Sequence, residues 1–131
     1  MAREVADMDA ILERAPLDVG AFNGADRRFH SQLILAAGNP VLTRAYQDLN
    51  VHVQIARLFQ RRGLEQGRQA NAEHRRILEA MRAKKVRESA TQTVAHIHGV
   101  VDRLRAVMGE LAPSESRDAV GSSSRKGMMA R

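Results

Sequence analysis

The sequence predicts an all-α fold, an antiparallel bundle of about five helices followed by a disordered tail. Apolar residues make up 44% of the 131 residues and aromatic residues only 3%, so the core must consist mainly of aliphatic side chains and methionine. The apolar residues recur at three- and four-residue spacing, and the long alternating runs typical of strands are missing. A chain of this length suits one domain and no more.

Breaking and capping residues set the limits of each helix. Pro16 ends the first helix, and Gly38 with Asn39 suits a left-handed cap after the second, with Pro40 opening the third. Two glycines predict a loop over residues 63–67, and two lysines at 84 and 85 predict a tight break before the last helix. The predicted helices are 3–15, 19–37, 40–62, 70–83 and 86–111. Short connections of this kind are typical of an antiparallel bundle.

The fifth helix carries the longest apolar stripe, and we expect that stripe to face the bundle. Its members, at three- and four-residue spacing, are Val86, Ala90, Val94, Ile97, Val101, Leu104 and Met108. Residues 112–131 lack periodicity and are rich in serine and charge, so they are predicted to be disordered. The sequence therefore divides into a helical domain over 3–111 and a tail over 112–131.

Composition limits the classes of function. The chain has no cysteine, which excludes disulfides and thiolate metal sites. No apolar run approaches the ~18 residues that span a bilayer, and the start lacks the apolar block of a secretory signal. We therefore expect a cytoplasmic protein without a membrane partner. The net charge is +6, but the arginines are dispersed among acidic residues, as on an ordinary solvated surface.

Two polar side chains fall inside the apolar face of the second helix. At ~100° per residue, Asp26 and His30 lie within about 60° of Leu33 on the helical wheel. A lone buried carboxylate costs several kcal/mol unless it is paired or coordinated. Residues four apart on a helix lie ~5–6 Å apart at Cβ, close enough to share one partner.

Histidines on other helices are candidates for that partner. His74 lies in the middle of the apolar face of the fourth predicted helix. His96 and His98 flank Ile97 on opposite sides, and periodicity does not choose between them; His52 also lies near an apolar face. A converging Asp and several imidazoles would hold a divalent metal such as Zn, Mn, Fe, Co or Ni. The plainer alternatives are a buried salt bridge for the carboxylate and core histidines bonded to backbone carbonyls.

Three motifs, in order and with suitable gaps, resemble the FCD domain. The string D-R-R-F-H over residues 26–30, followed by A-A-G-N-P over 36–40, is similar to the family's D-x-x-F-H…A-x-G-N-P signature. E-H-R-R-I-L-E-A-M over residues 73–81 is similar to its E-H-x-x-I-x-x-A-I segment. His96 follows His74 by 22 residues, where the family places a histidine on its last long helix. The resemblance covers residues from about 5 to 107.

The resemblance implies an effector-binding, dimerising domain of the FadR subfamily of GntR-type transcription regulators. In metal-binding members, one Asp and three His hold a divalent cation, and a small carboxylic acid completes the coordination. The resemblance selects His96 over His98 and implies a transition metal (Zn, Ni, Mn or Fe), an organic acid effector and a homodimer. The implied ligands are Asp26, His30, His74 and His96. Apart from the resemblance, Asn39 and Arg57 are weaker candidates for effector contacts, with a helix-end cap and a surface charge as their plainer interpretations. We expect the family's winged-helix DNA reader and the first FCD helix, with its R-x-x-L-E motif, to be missing from this sequence.

Three other functions compete with sensing. A His₃Asp metal with open positions could activate water in an enzyme. However, Glu73 is expected to point about 100° away from His74, into solvent, and no other general base stands at a fixed spacing, so we expect no enzyme. The remaining alternatives are a ligand-free dimerisation fragment and a small basic nucleic-acid-binding protein. The arginines that could form a basic patch are Arg57, Arg61, Arg62, Arg68, Arg75 and Arg76.

Overall fold

The computed structural model describes the backbone of residues 1–49 and 51–111, and the side chains of residues 1–49 and 64–106. This part of the chain folds into an antiparallel bundle of five helices, so the predicted fold class is confirmed. The helices are α1 (Ala2–Leu12), α2 (Val19–Ala36), α3 (Pro40–Asp48), α4 (Val51–Arg82) and α5 (Val86–Leu111). The predicted tail over 112–131 lies outside the described residues. Among the described residues, no helix is both long enough and apolar enough to cross a membrane.

The ends of α2 follow the local signals in the sequence. Asp18 precedes the helix, and its carboxylate accepts a hydrogen bond from the Ala21 amide at 2.8 Å. Gly38 follows the helix with a φ of 65°, the left-handed cap conformation that glycine adopts without strain. Asn39 then caps α3, where its side-chain oxygen accepts from the Val41 and Leu42 amides. One short segment thus ends one helix and starts the next.

The predicted loop over residues 63–67 is wrong, because α4 continues through it. The break lies earlier, where α3 ends at Asp48, and no glycine or proline marks it. Gly67 has a packing role instead. A Cβ built on it would lie 2.8 Å from Leu12 Cδ2 and 3.5 Å from the Phe22 ring. The glycine therefore lets α4 approach α1 and α2 closely.

A tight turn joins α4 to α5. The Lys85 amide donates to the Ala80 carbonyl and the Lys84 amide to the Met81 carbonyl, both at 3.0 Å, which is the Schellman pattern of a helix end. Lys84 occupies the left-handed position of that motif, with a φ of 56°. The turn reverses the chain and lays α5 along α4.

The hydrophobic core lies between α1, α2 and α4. Its buried members are Val5, Met8, Leu12, Phe22, Ala25, Phe29 and Ile77, and we call this set the apolar core. Asn71 on α4 also reaches α1, where its Nδ2 donates to the Val5 carbonyl at 3.1 Å and to Asp9 Oδ1 at 2.7 Å. The apolar core and the contacts of Asn71 together hold α1, α2 and α4 against one another.

The predicted orientation of α5 is wrong over residues 86–97. Ile97 is 53% exposed, and Val86 and Val94 on the same stripe are also exposed. His96 is instead only 3% exposed. α5 thus directs polar side chains toward the bundle and part of its apolar stripe outward. The surface of α2 and α4 on which it packs carries polar groups.

Candidate metal centre

Three imidazoles from three helices meet where α5 covers α2 and α4. His30 Nε2 on α2 lies 3.2 Å from His74 Nε2 on α4 and 3.3 Å from His96 Nε2 on α5. Asp26 Oδ1, one turn before His30, lies 3.6 Å from His74 Nε2 and 3.7 Å from His30 Nε2. We call these four side chains the imidazole cluster. The structure therefore brings together all four residues that the sequence analysis named as ligands.

The donor set and its spacing fit a divalent cation. His30, His74 and His96 each offer a ring nitrogen, and these nitrogens lie within 4.8 Å of one another. Ligands about 2.0–2.2 Å from a tetrahedral zinc ion are separated by roughly 3.4 Å. The four separations given above, 3.2–3.7 Å, bracket that value. Imidazole and carboxylate donors suit Zn, Ni, Mn or Fe.

Without such an ion, burial of the imidazole cluster lowers the stability of the folded state. His74 is fully buried against the Phe29 ring, with 4.4 Å between the ring centroids. Its Nδ1 finds no hydrogen-bond partner among the described residues. Burial, with the neighbouring His30 and His96, lowers the pKa of His74 to about 2, so this ring is neutral and its nitrogen lone pair is free to bind a cation.

The carboxylate of the cluster is buried as well. The side chain of Asp26 is only 14% exposed, and its burial raises its pKa to about 6, although the charge of His96 acts in the opposite direction. A carboxyl group that is reluctant to ionise in an apolar setting gains much from a cation beside it. Tyr46 on α3 is close enough for the Asp26 charge to act on it, and burial together with that charge raises the pKa of the phenol.

Glu73 does not point into solvent, so that expectation is wrong. Its Oε2 accepts a hydrogen bond from His96 Nδ1 at 2.7 Å, and its two oxygens accept from Arg103 at 2.8 and 2.9 Å. Burial alone would raise the pKa of this carboxyl, but the hydrogen bonds from His96 and Arg103 lower it to about 2. The wheel of α4 could not show this contact, because both partners come from α5.

The remaining candidates lie elsewhere. Asn39 is exposed and its side-chain oxygen caps α3, and His98 is exposed on the outer side of α5. The side chains of His52 and Arg57 lie outside the described residues, as do those of Arg61 and Arg62 in the suggested basic patch. Among the patch residues that the structure describes, Arg75 pairs with Asp9 at 2.6 Å, so its charge is balanced.

The fold and the cluster together define a class of protein, an all-α bundle with a buried set of imidazole and carboxylate groups between its helices. The chain belongs to the FCD domain family, whose model matches residues 1–99. FCD domains are effector-binding regulatory domains of GntR-type transcription regulators and are not an enzyme family. Comparison with curated proteins and with solved structures gave no match.

Proposed function

We propose that this FCD domain senses a small carboxylic acid through a divalent transition metal held by Asp26, His30, His74 and His96. It serves a homodimeric regulator in which a winged-helix domain, rather than these helices, contacts DNA. The observation that carries the proposal is the meeting of three imidazole Nε2 atoms and a carboxylate oxygen from three helices, at 3.2–3.7 Å.

The chain's own residues prepare the site for a cation. Burial keeps His74 neutral, and Asp26 adds the one carboxylate of the cluster. A bound divalent ion would supply net positive charge in a dry interior, which attracts an anionic ligand. Phe29 beneath His74 excludes water from that side of the site.

The origin of the ligands on three helices supports a sensing role. Because α2, α4 and α5 each contribute, a ligand that shifts the coordination also biases how these helices pack. Coupling between an effector and a distant output is typically worth 1–3 kcal/mol, which such a bias can supply.

Metal content tests the proposal directly. Purified protein incubated with Zn²⁺ or Ni²⁺ and then desalted is expected to retain about one ion per chain by elemental analysis. His96→Ala should lose it, whereas His98→Ala, the same change on the exposed side of the same helix, should keep it. A wild-type protein without stoichiometric metal, or equal retention in both variants, would overturn the assignment.

Effector sensing needs a second measurement. We expect members of a panel of small carboxylic acids to raise the melting temperature of the metal-loaded protein and to leave the chelator-treated protein unchanged. Equal stabilisation of both forms would show that the acid binds without the metal.

A further inference from the structure

A carboxylate–guanidinium pair lies directly behind the imidazole cluster. Arg103 Nη1 and Nη2 donate to Glu73 Oε1 and Oε2 in a two-pronged arrangement, and each side chain is only 17% exposed. The same Glu73 carboxylate accepts the hydrogen bond from His96 Nδ1. The other nitrogen of His96 faces His30. One side of this imidazole is therefore bound to the pair and the other belongs to the cluster.

Gly99 provides the room for this pair. A Cβ built on Gly99 would lie 3.1 Å from Arg103 Nη1 and 3.2 Å from Glu73 Oε1, tighter than about nine in ten real Cβ contacts. Glycine inside a helix is less stable than alanine by roughly 0.5–1 kcal/mol. The close approach of two charged groups to the α5 backbone explains why this position carries no side chain.

We propose that Glu73 is a positioning residue, clamped by Arg103 over Gly99, which holds His96 with its proton on Nδ1 and its Nε2 lone pair directed at the cluster. A neutral imidazole carries one ring proton, and an anionic acceptor 2.7 Å from Nδ1 places the proton there. Groups that orient a metal-binding histidine in this way typically contribute 10–100-fold to metal affinity. The affinity part of this inference rests on the proposed metal site, whereas the tautomer part does not.

The tautomer is measured first, on metal-free protein. In ¹⁵N-histidine NMR spectra at neutral pH, we expect His96 to carry its proton on Nδ1 in the wild type and in Glu79→Ala, which removes an exposed carboxylate from the same helix. Glu73→Ala should lose this preference, while Glu73→Gln should retain part of it because an amide oxygen still accepts. A wild-type His96 protonated on Nε2, or a tautomer unchanged by Glu73→Ala, would overturn the proposal.

Zinc affinity is measured second, by competition with a chromophoric chelator. We expect Glu73→Ala to bind Zn²⁺ 10–100-fold more weakly than the wild type. Gly99→Ala should also bind more weakly, because its methyl group displaces the clamp without removing the acceptor. Gly24→Ala is the matched control, since a Cβ there meets only Arg28 Nη1 at an ordinary 3.5 Å.

The two measurements together show whether the role of Glu73 or the proposed metal site is wrong. A pair with a merely structural role would lower the melting temperature in Glu73→Ala and leave both the tautomer and the zinc affinity of the folded protein unchanged. A wild type that binds no metal would end the sensing proposal, and the metal-free tautomer would still decide the role of Glu73. Should Glu73→Ala fail to fold, Glu73→Gln and Gly99→Ala carry both tests.

Discussion

The apolar core and the imidazole cluster are neighbours in one bundle but contribute to its stability in opposite ways. In the core, each large side chain that leaves water contributes roughly 1.5–3 kcal/mol. In the cluster, burial removes water from His74 and Asp26 without giving the His74 Nδ1 a new partner among the described residues. The contrast indicates that the core holds the helices together, whereas the cluster is kept at a cost in stability that a bound cation would offset.

The largest effect is expected in the core. Phe22→Ala should lower the free energy of unfolding by about 3–5 kcal/mol, because it leaves a cavity between α1, α2 and α4. Leu35→Ala, an exposed position on the same helix, should change it by no more than about 0.5 kcal/mol. Urea unfolding followed by circular dichroism measures both. Similar losses in the two variants would show that the core is not where stability resides.

In the imidazole cluster, a substitution is expected to raise the free energy of unfolding of the metal-free protein rather than lower it. In metal-free protein, His74→Leu should raise the free energy of unfolding by about 1 kcal/mol, because it removes a buried ring nitrogen that has no partner among the described residues. The contact with His30 is lost as well, but His30 is partly exposed and can turn to water. The same variant should lose all stabilisation by added Zn²⁺, which the wild type should show. If metal-free His74→Leu protein is less stable than the wild type, His74 stabilises the fold as the apolar core does, and the contrast is wrong.

A helix end outside both regions gives an independent measure of backbone strain. Lys84 holds a left-handed conformation that costs a residue with a Cβ roughly 1–2 kcal/mol. Lys84→Gly should therefore stabilise the protein by about 1 kcal/mol, and Gly38→Ala, at the equivalent position after α2, should destabilise it by about the same amount. Thermal unfolding of both variants checks the prediction, and a shift of the same sign in both would contradict it.

The smallest effect is expected on the outer side of α5. Ile97→Ser should change the free energy of unfolding by less than about 0.5 kcal/mol, because that side chain is already half exposed. The measurement is made at low and high protein concentration. A larger loss that depends on concentration would show that a second copy of the chain covers this side of α5.

The sequence was most informative where the signal was local. The end of α2 and the start of α3 depend on Gly38, Asn39 and Pro40, which act within one turn, and the structure confirms the predicted cap. The inward direction of Asp26, His30 and His74 also followed from helical periodicity, because each lies on a helix whose apolar residues do face the core.

Prediction failed where a distant segment decided the outcome. Gly67 indicated a loop, but its missing side chain serves the approach of α1, which lies far away in sequence. The apolar stripe of α5 predicted the helix correctly but not which of its sides is buried. That side faces polar groups of α2 and α4, which the sequence of α5 alone does not show. For the same reason His96 was chosen over His98 by family resemblance alone, and the partners of Glu73 were missed.

The meeting of imidazoles from distant helices has a consequence for how the chain unfolds. His30 and His96 are 66 residues apart in sequence, yet one ion would bind both. In a chain without cysteines, such an ion would join segments that are distant in sequence, and it would stabilise the bundle by binding the folded state alone. Release of a bound ion and opening of the bundle would then be linked steps, so a chelator should accelerate the unfolding of metal-loaded protein.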